Sequence, residues 1–203
     1  MSEIINHVAP RWRRIAVMTS TEISPAQRYR DLAAGFTARI DAVPADRWDD
    51  DSPCEGWTAR DVVRHVLDSE RDMVKVVGLE LAPGPSVDDD PSAAWAAVRD
   101  SMQEILDDPA KSTLEYDGHF GRTNLGATVE GFLCFDLVIH GWDLAAATGT
   151  DTTMRDADVE WVSEIAAGLG ESIRMSGVCG PEIQVPDNAD KATKLLAFLG
   201  RKA

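Results

Sequence analysis

Val129-Glu-Gly-Phe-Leu-Cys-Phe-Asp136-Leu-Val-Ile-His140-Gly-Trp142-Asp143-Leu-Ala-Ala-Ala147 is apolar on nearly every side, and this decides the fold. A helix without a polar face must be surrounded by protein. Inside such a helix an unpaired Asp or His is costly unless a hydrogen bond or a metal ion satisfies it. Asp136 and His140 are four residues apart, the spacing that sets two side chains on one helix face, and Asp143 follows at i+3 close to the same stripe. Two explanations fit such a pair: a hydrogen bond between the side chains, or one cation gripped by both.

Working outward, the flanking segments read as helices that enclose this one. Ser24-Pro25 is a cap followed by a first-turn proline, and Tyr29, Leu32, Phe36, Ile40 and Val43 recur at helical spacing up to Pro44. Thr58-Ala-Arg-Asp61 is an approximate capping box, with Trp57 and Val62 placed as a hydrophobic staple, and opens a second helix predicted to run to about Leu81. Asp90-Pro91 starts a third, faced by Trp95, Val98, Met102, Ile105 and Leu106 and stopped before Pro109. Residues 110–125 read as a long crossover with one short strand. Gly149 closes the central helix, Asp156 is placed to cap another, Ile183-Gln-Val185 is strand-like, and a short helix spans about Asp187 to Leu199. The expectation is an all-α bundle of four helices with a long crossover, an extra helix and a short C-terminal tail.

The chain has 203 residues and a net charge of −15, enough for one well-buried domain and repulsive toward phosphate backbones and anionic bilayers. Nucleic acid and membranes are therefore excluded as expected partners. Cys54, Cys134 and Cys179 are far apart in sequence, the pattern of a reducing compartment, so the protein reads as cytoplasmic. Residues 1–17 are basic where the body is acidic and read as a flexible extension preceding a domain over 18–203.

The histidines are His7, in that extension, and His65, His119 and His140. His65 lies at the border of the apolar stripe of the second helix. One reading pairs it with Asp61 or Asp68 on its own helix. The other packs this helix beside the central one and makes His65 the third ligand of a metal held by Asp136 and His140. Two imidazoles and a carboxylate form the usual set for a Zn²⁺, Ni²⁺ or Fe²⁺ site that keeps positions open. Cys54 reads as a packed thiol, His119 as a solvated loop residue, and the tryptophans at 57, 95, 142 and 161 as core. Gly141 implies close approach by another helix or a ligand.

Ser52-Pro-Cys54-Glu-Gly-Trp57-Thr-Ala-Arg60-Asp-Val-Val-Arg-His65, taken with His140-Gly-Trp142-Asp-Leu-Ala and the tail Gly180-Pro-Glu-Ile-Gln-Val-Pro186 through Gly200-Arg, resembles the actinobacterial branch of the DinB/YfiT-like superfamily. That branch includes the N-terminal domain of mycothiol-dependent maleylpyruvate isomerase. The resemblance implies a four-helix bundle whose divalent metal, zinc first with nickel or iron as alternatives, is held by His65, Asp136 and His140. Beside these, the spacing makes Asp143 a supporting or substitute ligand and Asp61 or Asp68 the group that orients His65. The related isomerase has Glu where this chain has Asp136, one methylene shorter, so the ion is reached directly, through a water, or by Asp143 instead. No counterpart of that enzyme's additional C-terminal domain is read here, so its own reaction is not carried over.

The implied function is thiol-dependent: a transferase or isomerase that uses mycothiol, a low-molecular-weight thiol, on a small electrophilic substrate. The rivals are a metal-dependent hydrolase using metal-bound hydroxide and a non-catalytic metal- or small-ligand-binding module. Relatives pair through bundle faces, which gives a homodimer as the expectation.

Overall fold

Ser24 caps the first helix with its side chain, accepting from the Gln27 N–H at 3.2 Å, and Pro25 supplies a first-turn residue that needs no donor of its own. In the computed structural model, which describes residues 23–174 and 179–202, this helix is α1 (Pro25–Asp41). The extension expected over residues 1–17 lies outside the described residues. Helix α2 (Ala59–Lys75) begins with both halves of the capping box formed: Thr58 accepts from the Asp61 N–H at 3.2 Å and Asp61 accepts from the Thr58 N–H at 2.9 Å. Helix α3 (Pro91–Asp107) is capped by Asp90, and a single turn, α4 (Pro109–Ser112), follows it.

The crossover holds two strands where one was expected. Strands β1 (Glu115–Gly118) and β2 (Gly121–Asn124) pair antiparallel around the two-residue turn His119-Phe120. The central helix starts earlier than its apolar run suggested. It enters as α5 (Leu125–Thr128), passes through a π turn (Val129–Leu133), and continues as α6 (Cys134–Thr148) up to Gly149. Within the π turn the Cys134 N–H reaches back five residues to the Val129 carbonyl. Helix α7 (Asp156–Leu169) starts with Asp156 inside its first turn and not as its cap, and α8 (Lys191–Phe198) is capped by Asp190. Ile183-Gln-Val185 is not a strand; the Ile183 N–H donates to the Ala197 carbonyl at the end of α8.

Helix α2 also stops short of the expected Leu81. Gly78 takes a φ of 75°, its N–H bonds to the Lys75 carbonyl, and the Leu79 N–H bonds to the Val74 carbonyl, which is the Schellman arrangement. A left-handed residue ends the helix although Val77, Leu79 and Leu81 continue to pack on the core.

The bundle closes as a ring in which α1 packs on α3, α3 on α2, α2 on α6 and α6 back on α1. Its core includes Tyr29, Phe36, Val62, Leu67, Trp95, Met102, Leu137 and Leu144. Where α6 meets α1, a Cβ added at Gly141 would lie 3.5 Å from the Phe36 ring, so the helix neighbour anticipated at this glycine is α1. The opposite side of α6, with Phe135 and Ile139, is covered by Val159, Val162 and Ile165 of α7 and Leu195 of α8. That second layer explains why α6 has no polar face. Covering each such aliphatic side chain contributes about 1.5–3 kcal/mol relative to exposure. No helix among the described residues is long and apolar enough to cross a membrane.

Candidate metal centre

Packing α2 against α6 brings His65, midway along α2, opposite the Asp136–His140 pair. One ligand atom from each of the three lies within 4.8 Å of the others. His65 Nε2 stands 3.9 Å from Asp136 Oδ2, and the two imidazole rings meet edge to face with centroids 4.8 Å apart. The side chains of His65 and Asp136 keep 36% and 31% of their surface, whereas His140 keeps 9%. The arrangement is a pit with His140 deep inside and an open side at His65 and Asp136. Trp57 walls it, its ring 4.8 Å from that of His65 and 6.1 Å from that of His140.

Asp143 fixes the inner imidazole. Its Oδ2 is 2.9 Å from His140 Nδ1, which leaves Nε2 as the nitrogen free to face the pit. The carboxylate is fully buried and carries further partners: Arg201 donates from Nε to Oδ1 at 2.9 Å and from Nη2 to Oδ2 at 2.8 Å, and the Cys54 thiol lies 3.4 Å from Oδ2. Arg201 also donates from Nη1 to the Leu199 carbonyl at 3.0 Å.

Burial and the nearby His140 hold His65 below its ordinary pKa, against the pull of Asp136 and Asp68, which keeps it in the neutral form a metal requires. Burial also opposes charge on His140, but its hydrogen bonds to Asp143 and Cys54 outweigh this and raise it to about 10. Burial would lift Asp143; the His140 and Arg201 hydrogen bonds prevail and bring it to about 2. A cation at His140 Nε2 would take the place of the proton this environment otherwise favours there. Packing around its carboxylate raises the Asp136 pKa despite both imidazoles and Arg201.

The donor set fits a divalent ion. Bonds of about 2.0–2.1 Å at a tetrahedral centre place ligand atoms about 3.3–3.4 Å apart. The 3.9 Å between His65 Nε2 and Asp136 Oδ2 exceeds this by only about half an ångström, within reach of small side-chain rotations. The remaining pairs of ligand atoms lie within 4.8 Å. Asp143 is the more heavily engaged carboxylate, because Arg201 and His140 already occupy both its oxygens. The same point disfavours the second cluster of donors within 4.8 Å, Cys54, His140 and Asp143. A groove of about 380 Å³ along α1 and α6, lined by Phe36, Arg39, Trp142 and Met154, includes none of the three pit residues.

The other expected supporting groups are engaged elsewhere. Asp61 is engaged by Thr58 and Arg64, and Asp68 pairs with Arg71 at 3.4 Å; no hydrogen bond joins either to His65. Its near neighbour is the Ser69 hydroxyl, 3.5 Å from Nε2. His119 lies exposed in the hairpin turn. Cys54, Arg201 and Trp57 were not anticipated at the site. For Trp57 the signal was present in its position just before the helix cap, eight residues or about two turns ahead of His65; for Cys54 and Arg201, in a loop and in the tail, no periodicity points to them. Glu70 was missed as well. It is 1% exposed, and the Tyr29 hydroxyl donates to its two oxygens at 3.0 and 2.8 Å. Its place among Val63, Val66, Leu67 and Val74 on the buried face of α2 was the available clue.

Two proteins of Mycobacterium tuberculosis, from strains CDC 1551 / Oshkosh and ATCC 25618 / H37Rv and both described as uncharacterized, are each 28% identical over 181 residues, covering 88% of this chain and 98% of theirs. No solved structure matches. The family described as mycothiol maleylpyruvate isomerase N-terminal domain matches residues 29–145, more than half of the chain and the span from α1 through the Asp136–His140 pair, and the chain belongs to that family.

Proposed function

We propose that this protein holds a divalent metal ion, zinc in the first instance, at His65, Asp136 and His140, and uses it for mycothiol-dependent transfer or isomerisation on a small electrophile. The observation that carries the reading is the convergence of these donors from two helices in a pit with one side open. When bound, the ion would supply a Lewis-acid centre that lowers the pKa of a coordinated thiol into the physiological range. The protein's own part is positional. Asp143, clamped by Arg201, holds the His140 ring with Nε2 presented. Burial keeps His65 neutral, and Trp57 limits water on one side of both rings. Family membership supports a low-molecular-weight thiol as co-substrate.

Metal content, measured by mass spectrometry on protein purified without a histidine tag, tests the shared premise. Near-stoichiometric metal is expected in the native chain and a large loss in both His65→Ala and His140→Ala. Unchanged content in both variants rejects the ligand set. Mycothiol is then expected to raise the melting temperature only when metal is present. Absence of that metal-dependent rise removes the thiol from the proposal.

A further inference from the structure

Phe132 lies four residues before Asp136, in the π turn that leads into α6, about one turn along the same helix from the pit. Its side chain is 41% exposed. The ring lies parallel to that of Phe120, 36% exposed at the tip of the β1–β2 hairpin, at an interplanar angle of 8° and a centroid separation of 6.2 Å. His119 packs edge-on against Phe120 at 4.9 Å. The hairpin is anchored where it crosses the bundle: the Tyr116 hydroxyl donates to Thr128 Oγ1 at 2.8 Å and lies 3.9 Å from Met73 Sδ. A large aromatic side chain left in water at two adjoining positions forgoes hydrophobic stabilisation that a polar residue there would not cost.

We propose that Phe120 and Phe132 form the subsite for the uncharged, planar, unsaturated part of the small electrophile whose reacting atom sits at the pit. The inference rests on the metal reading above. Size argues for a small ligand: the two rings leave on the order of 150 Å² exposed, far below the roughly 800 Å² per partner of a stable protein interface. Charge argues against an anionic one. The nearby hairpin side chains Glu115 and Asp117 are acidic, and Arg122 is already engaged by both, at 3.0 and 3.5 Å. A flat carbon framework stacking on these rings would extend one helical turn inward to Asp136 and the imidazoles.

Benzohydroxamate and acetohydroxamate share a metal-chelating head and differ in a planar ring. Their dissociation constants are to be measured by calorimetry on zinc-loaded wild type, Phe120→Ala and Phe132→Ala; both side chains are exposed, so both variants are expected to fold. Wild type is expected to prefer the aromatic probe by about tenfold, and each variant to lose about threefold or more of that preference with acetohydroxamate unchanged. No preference in wild type, or an undiminished one in both variants, overturns the subsite and leaves the metal reading standing. Failure of either probe to bind wild type overturns the metal reading and the subsite with it. A variant that alters the oligomeric state while keeping the preference assigns this face to contact between copies and also overturns the proposal.

Discussion

Asp143 shows how one buried side chain sets the chemistry of another. It is fully buried yet ionised, because His140 on its own helix and Arg201 from the tail both donate to it. Replacing Asp143 with Asn turns an acceptor-only carboxylate into an amide that can also donate, so the His140 tautomer is no longer fixed, and it strands the Arg201 charge. Metal affinity measured by chelator competition is expected to fall 10- to 100-fold, and unfolding in urea to show a loss of about 3–5 kcal/mol. Unchanged affinity would mean that Asp143 serves the fold alone. Glu70 poses a different residue-scale question. Burial raises it to about 8 against the opposing Tyr29 hydrogen bond, far above the 4.5 of an unfolded glutamate. Between those two values the folded chain holds a proton that the unfolded chain has lost, so stability is full below about 4.5 and falls as pH rises through 8. His140, raised from 6.5 to about 10, contributes a decline of the same sign but only above 6.5. Glu70→Gln, which stays neutral, is therefore expected to flatten the pH dependence of urea stability between pH 5 and 6.5, where Glu70 acts without His140; a slope equal to wild type in that window would show that Glu70 is ionised in the fold.

At the scale of elements, Asp61 separates two roles that its spacing to His65 left open. In the structure it closes the α2 capping box. Asp61→Ala is expected to cost about 1 kcal/mol in stability and to leave metal content unchanged. Loss of metal together with stability would return Asp61 to the imidazole. The elements themselves were legible wherever caps and periodicity agreed, as at Ser24-Pro25, Thr58 and Asp90-Pro91. The end of α2 was not, because Val76 and Val77 run up to the left-handed Gly78 and Leu79 and Leu81 keep the apolar rhythm beyond it. The π turn at Val129–Leu133 was invisible for a related reason: its residues are those of an ordinary helix, and only the i→i−5 hydrogen bond distinguishes it. The candidate ligands themselves were readable, since a polar pair at i and i+4 in an oily helix demands a partner. What lay beyond the reach of pattern was Arg201, whose meaning depends on where a nonperiodic tail comes to rest.

Taken whole, the molecule fastens its end to its centre. Helix α8 finishes in a second Schellman turn: Gly200 adopts a φ of 79°, its N–H bonds to the Ala197 carbonyl, and the Arg201 N–H bonds to the Leu196 carbonyl at 2.8 Å. A Cβ at Gly200 would come within 3.0 Å of the Gly180 backbone, so the chain here is held between two glycines as it delivers Arg201 inward. The guanidinium then joins the layer formed by α7 and α8 to the four-helix ring through Asp143, and so to the imidazole of the pit. This coupling has a measurable size. Arg201→Ala alone leaves Asp143 a buried carboxylate short of its main cation and is expected to cost about 3 kcal/mol or more. Asp143→Asn alone strands the guanidinium at similar cost. In the double variant neither charge remains, so its loss should fall short of the sum of the two by at least about 1 kcal/mol. Urea unfolding of the four proteins closes the cycle, and simple additivity would show that the tail and the bundle are stabilised independently, leaving the His140 ring to be held by its own helix.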